Sequence, residues 1–113
     1  MLLSAHRCLT RFNEGDGAWP EWVPAWAHTC LLGCLACQEA CPANPPLVIE
    51  ETGVRFSAAE TRALLEPAGA STGRTESAIR IKLAWLGQSY SGAAIGRNLR
   101  ALVNASPLTA AAR

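Results

Sequence analysis

The chain changes character near residue 57, and the change is one of period. Beyond it, apolar residues return at helical intervals. Ile79, Leu83 and Leu86 fall at i, i+4 and i+7, and Ile95, Leu99 and Leu102 repeat that spacing. A third helix announces itself at its start: Ser57-Ala58-Ala59-Glu60 has the form of a capping box. That helix is expected to run to about Glu66, where Pro67 and Gly69 stop it, with Leu64 and Leu65 on its apolar side. A Gly/Ser/Thr-rich linker at 69–75 precedes the next helix, for which Gly87 offers a C-terminal cap, and the tail after Ser106-Pro107 is expected to fray.

Upstream, the pattern is broken. Trp19, Trp22 and Trp26 are interrupted by Gly15, Gly17, Pro20 and Pro24, which forbid a long helix and leave a short one near the start followed by turns. Residues 30–46 hold four of the five cysteines and end in Cys41-Pro42-Ala43-Asn44-Pro45-Pro46, which leaves any helix as extended or turn structure. Val48 and Ile49 suit a very short strand, and nothing else alternates. The expected fold class is mainly α: a small irregular, ferredoxin-like cysteine loop followed by three short helices. Two stretches result, a cysteine-bearing segment over 1–50 and a helical extension over 51–113.

Composition narrows the function classes. With 113 residues the chain is one small domain, and 50% hydrophobic residues argue against disorder throughout. Only 17% of residues are charged, below the roughly 25% usual for soluble domains, which suggests surface covered by a partner or by a domain the chain has lost. A net charge of +1 excludes a strongly basic nucleic-acid binder, although residues 1–73 balance at −4 and residues 74–113 at +5. The longest charge-free run, between Glu21 and Glu39, falls short of the ~20 apolar residues of a membrane span. No basic region followed by an apolar stretch marks a secretory signal, so the expected location is cytoplasmic, where an odd set of five cysteines points to metal or redox chemistry rather than disulfides.

The chemistry concentrates in Cys30-Leu31-Leu32-Gly33-Cys34-Leu35-Ala36-Cys37-Gln38-Glu39-Ala40-Cys41-Pro42. A buried helical stripe is the bland reading, since 30, 34, 37 and 41 share one helical face, but four cysteines in twelve residues exceed ordinary usage. Structural zinc favours two separated Cys-x₂-Cys pairs, and only one such spacing is present. The bacterial ferredoxin run Cys-x₂-Cys-x₂-Cys-x₃-Cys-Pro fits better, because Cys34, Cys37, Cys41 and Pro42 reproduce its last part. Its first cysteine belongs at position 31, which is Leu31; Cys30 is off by one.

Arg7-Cys8-Leu9-Thr10-Arg11-Phe12-Asn13-Glu14, followed after a spacer by His28 to Pro45, resembles the C-terminal half of the epoxyqueuosine reductase family, its 4Fe-4S double-cluster binding domain. The likeness continues more loosely to Gly96-Arg97-Asn98-Leu99-Arg100-Ala101-Leu102. The resemblance implies that Cys8, Cys34 and Cys37 hold one 4Fe-4S cluster and that Cys41 supplies one thiolate to a neighbouring cluster, with Cys30 outside the set. The family's first ferredoxin motif and its cobalamin-binding catalytic domain have no counterpart here. The expectation is therefore a fragment or degenerate relative: an incomplete cluster ligand set, no bound cobalamin, no catalytic residue of its own, and electron relay to a redox partner or missing N-terminal domain. In the family that relay serves queuosine synthesis in transfer RNA. The alternative is a structural zinc-binding or helical interaction module without a redox role.

The three tryptophans read first as core packing, with shielding of a cluster a compatible second role. His28 reads as an ordinary histidine rather than an iron ligand, because no paired Cys-x-His boxes exist. Arg80, Lys82, Arg97 and Arg100 read as a solvated face, with contact to transfer RNA phosphates the weaker reading. Gly15-Asp16-Gly17 is a turn and not a phosphate loop.

Overall fold

A computed structural model describes residues 4–66, 73–88 and 92–105. Among these residues the chain forms α1 (Leu9–Asn13), α2 (Ala36–Glu39), α3 (Ala58–Leu65), α4 (Arg74–Trp85) and α5 (Gly92–Ala105), with single 3₁₀ turns at Ala5–Arg7 and Ala25–Ala27. The mainly α class is as the sequence implies. No strand occurs among the described residues: Val48 and Ile49 lie extended and exposed, without a neighbouring strand to pair with. Nor is any described helix long and apolar enough to cross a membrane.

The start of α3 and the end of α4 carry the signals read in their sequence. At the start of α3 the Glu60 N–H donates to Ser57 Oγ at 3.2 Å, and the Ser57 N–H donates to Glu60 Oε2 at 2.6 Å, so two orphan donors are satisfied reciprocally. Gly87 ends α4 with φ +71°, and the bonds Gly87 N–H to Ala84 O and Gln88 N–H to Leu83 O, both 2.9 Å, complete a Schellman motif. The expected stop at Pro67 and Gly69, the linker over 69–72 and the tail beyond residue 105 lie outside the described residues, whereas Arg74 and Thr75, expected in the linker, already belong to α4.

Helix α3 packs against both α4 and α5. Leu64, Ile79, Leu83 and Ile95 are buried at the centre of this trio, and Leu99 packs on its edge. Gly96 sets the closeness of the α3–α5 crossing: a Cβ there would stand 2.5 Å from the Leu64 carbonyl oxygen. Two polar ties reinforce the trio. Lys82 Nζ reaches both Glu60 carboxylate oxygens, at 2.8 and 2.6 Å, and Arg100 Nε donates to Leu65 O at 2.9 Å, satisfying a carbonyl at the C-terminal end of α3.

Leu31 and Leu32, from the cysteine loop, also pack against this core, as does Phe56. The loop is thus anchored by the two leucines that precede Gly33 and Cys34. Position 31, which the ferredoxin spacing assigns to a cysteine, is used here for packing.

Candidate metal centre

Asn13 from the first helix and the neighbouring Arg97 and Asn98 from the last one lock the cysteine loop to α1. Asn13, the last residue of α1, is 3% exposed, and its side-chain amide clasps the backbone of Gly33 in both directions. Asn13 Nδ2 donates to Gly33 O, and the Gly33 N–H donates to Asn13 Oδ1 at 3.1 Å. Asn98 on α5, 1% exposed, donates through Nδ2 to Asn13 O at 2.6 Å and to Leu31 O at 2.8 Å. Arg97 beside it donates to Phe12 O at 2.7 Å, to Asn13 O at 3.3 Å and to Gly17 O, while its guanidinium stacks 4.9 Å from the Trp19 ring centroid.

These bonds determine where the thiols lie. Cys8 is the N-cap of α1, and Cys34 follows Gly33, whose φ of +72° turns the chain after the leucine anchor. Because Asn13 joins the end of α1 to Gly33, Cys8 and Cys34 line the same cavity although 25 residues separate them. Cys8, Cys34 and Cys37 line one cavity of ≈ 510 Å³, together with Ser4, Arg7 and small apolar side chains. Cys41 opens elsewhere, onto a second cavity of ≈ 1020 Å³. Cys30, half-buried, lines that second cavity too.

The opening turn of α1 acts on the Cys8 thiol. The N–H groups of Arg11 and Thr10, in the opening turn of α1, face its sulfur and lower its pKa below the ordinary thiol value. All five cysteines are free thiols. Among the described residues no three His, Cys, Asp or Glu side chains are placed to hold a single metal ion. One zinc ion needs sulfurs about 3.8 Å apart, from tetrahedral bonds of about 2.3 Å. A four-iron cubane takes one thiolate per iron and spaces them more widely. Three thiols line this one cavity, and among the described residues its lining offers no fourth Cys, His, Asp or Glu.

Comparison with protein-family models, curated proteins and solved structures gives no match.

The remaining sequence candidates fall into place around this brace. Trp19 holds an edge-on contact with His28, ring centroids 4.5 Å apart, and burial beside the Arg97 guanidinium lowers the His28 pKa. Trp22 stands edge-on to Phe12 at 5.6 Å, beneath Arg7, but Trp26 is 80% exposed and belongs to no core. Among the described residues that line the two cysteine cavities, none is a tryptophan. The basic residues are not simply a solvated face. Arg97 braces α1 from α5, Arg100 satisfies α3, Lys82 pairs with Glu60, and Arg80 pairs with Glu76 at 2.9 Å.

Sequence reading alone missed Asn13 and Asn98. The signal was available at Asn98: it sits three residues after Ile95 and one before Leu99, on the apolar face of its helix, where a polar residue must find partners.

Proposed function

We propose that this chain is a 4Fe-4S cluster-binding electron-transfer module resembling the C-terminal part of epoxyqueuosine reductases. The observation that carries the reading is the meeting of Cys8 with Cys34 and Cys37 on one cavity across 25 intervening residues. That set is the one the family resemblance implies, and it draws on Cys8, which local spacing would never select.

When bound, a 4Fe-4S cluster supplies reversible one-electron transfer. The chain's own residues do the holding. Cys8, Cys34 and Cys37 supply three thiolates, and the N–H groups around Cys8 stabilise its ionised form. Asn13, Asn98 and Arg97 keep α1 and the loop in register. The fourth thiolate, the redox partner and the catalytic chemistry come from outside the residues that line this cavity. The likeness to the family suggests a cobalamin-bearing reductase domain in that role, in the cytoplasm, with modified transfer RNA as the eventual substrate. Direct contact of this chain with transfer RNA gains no support from Arg80, Lys82, Arg97 and Arg100, each of which is engaged within the chain.

Anaerobic reconstitution with iron and sulfide tests the reading. A brown protein with broad absorption near ~400 nm, iron below full occupancy and rapid bleaching in air is the expected result, since one iron lacks a thiolate from this chain. A colourless protein that retains zinc and takes up no iron supports the structural-metal alternative. Two air-stable four-iron clusters per chain contradict the incomplete ligand set.

A further inference from the structure

Cys37 stands on the least supported element of the fold. Helix α2 is a single turn, every residue from Leu35 to Ala40 is exposed, and among the described residues it packs against no other helix. A helix of that length has no stability of its own in water. Upstream, the Asn13 clasp on Gly33 fixes the backbone next to Cys34. Downstream, the hold comes from Asn44. The Asn44 N–H donates to Cys41 O at 3.1 Å, closing a turn with Pro42 at its second position, where proline is preferred. That turn returns the Asn44 side chain to the end of α2. Asn44 Nδ2 donates to Gln38 O at 3.1 Å and to Gln38 Oε1 at 2.6 Å.

We propose that Asn44, acting through Gln38, is the positioning residue for Cys37. The proposal rests on the reading of Cys8, Cys34 and Cys37 as one cluster site. Gln38 O is among the last carbonyls of α2, which the helix itself leaves without donors. It accepts from the Cys41 N–H at 3.3 Å and from Asn44, so both of its lone pairs are used. A backbone carbonyl only accepts, which puts the nitrogen of the Asn44 amide against α2, and Gln38 Oε1 then takes its other hydrogen. The residue that follows Cys37 is thus tied through its backbone and its side chain at once. Without this clamp α2 has local backbone bonds alone, and Cys37 loses its fixed place on the cavity it shares with Cys8 and Cys34. Neither Asn44 nor Gln38 occurs among the described residues lining that cavity, so both act on the thiol and not on what the cavity holds.

Separate readouts distinguish the clamp from the cluster. In the metal-free, reduced chain the backbone carbon shifts of residues 36–39 report the order of α2. Asn44→Ala and Gln38→Met should erase the helical displacement of those shifts and leave α3, α4 and α5 as they are, since neither residue belongs to the helical core. Gln38→Glu should match the wild type, because a carboxylate oxygen accepts the same N–H. The second arm is anaerobic reconstitution with iron and sulfide. Iron retained through desalting should fall roughly two- to tenfold in Asn44→Ala and Gln38→Met, the weight of one or two hydrogen bonds, and be kept in Gln38→Glu. Unchanged shifts at 36–39 in Asn44→Ala overturn the proposal. So does a variant whose α2 is disordered and whose iron equals that of the wild type. A wild-type chain that takes up no iron overturns the cluster reading instead, and the metal-free arm then decides the clamp by itself.

Discussion

Asn13 carries more of the architecture than any thiol does. Its amide satisfies both the N–H and the carbonyl of Gly33, and its own carbonyl receives Asn98 and Arg97. Truncation removes the side-chain half of this arrangement and leaves Gly33 unpaired in a partly closed site. Asn13→Ala should lower the unfolding free energy by about 2 kcal/mol, the usual range for losing buried hydrogen bonds and stranding their partners. Urea unfolding measures it. The same variant should reconstitute less iron than the wild type, because Cys8 and Cys34 are no longer held together. Unchanged stability would show that the clasp is incidental. At this scale the sequence was legible unevenly. Cysteines advertise themselves by density and spacing, whereas one asparagine among ordinary residues becomes visible only when its partners, 20 and 85 positions away, are known.

Among the elements, α3 shows how local signals and tertiary contacts meet. Ser57 and Glu60 announce the helix in sequence, and the structure then uses the same Glu60 to receive Lys82 from α4. The Lys82 ammonium foremost, with the Ser57 N–H, holds the Glu60 carboxyl below the usual carboxylate range. A carboxylate with a depressed folded value stabilises the fold at pH above its unfolded value of about 4.3, and that contribution is lost as pH falls through the folded value. Stability measured against pH should therefore decline below pH ~4, and Glu60→Gln should flatten that limb. An unaltered acid limb in the variant contradicts the assignment. Gly96 is the second element-scale test. With Leu64 O only 2.5 Å from a new Cβ, Gly96→Ala must push α3 from α5, and a loss of about 1–3 kcal/mol is expected by thermal or urea unfolding. Gain of stability, as helix propensity alone would give, refutes the close crossing. Both helix starts and stops were readable because caps and glycines act within a few residues. The failed strand at Val48 and Ile49 has the opposite cause: two β-branched residues supply propensity, but a strand needs a neighbour, and the described residues offer none.

Across the whole molecule, the C-terminal helices and the cysteine segment are interdependent. Leu31 and Leu32 enter the helical core, and Arg97 and Asn98 reach back to α1, so a helical extension read from sequence as a separate stretch serves as the frame on which the thiols are mounted. That dependence explains why periodicity alone did not place Cys8: its position is fixed by contacts spanning most of the chain, and only the resemblance to a known family pointed to it. The central claim is that Cys8, Cys34 and Cys37 make one cluster site. Its most direct test is iron retention in a chain whose second cavity has been silenced by Cys30→Ser and Cys41→Ser. After anaerobic reconstitution this chain should keep the absorption near ~400 nm, and adding Cys8→Ser should abolish it while leaving the helical content intact. Iron and absorption that survive the loss of Cys8 would contradict the account.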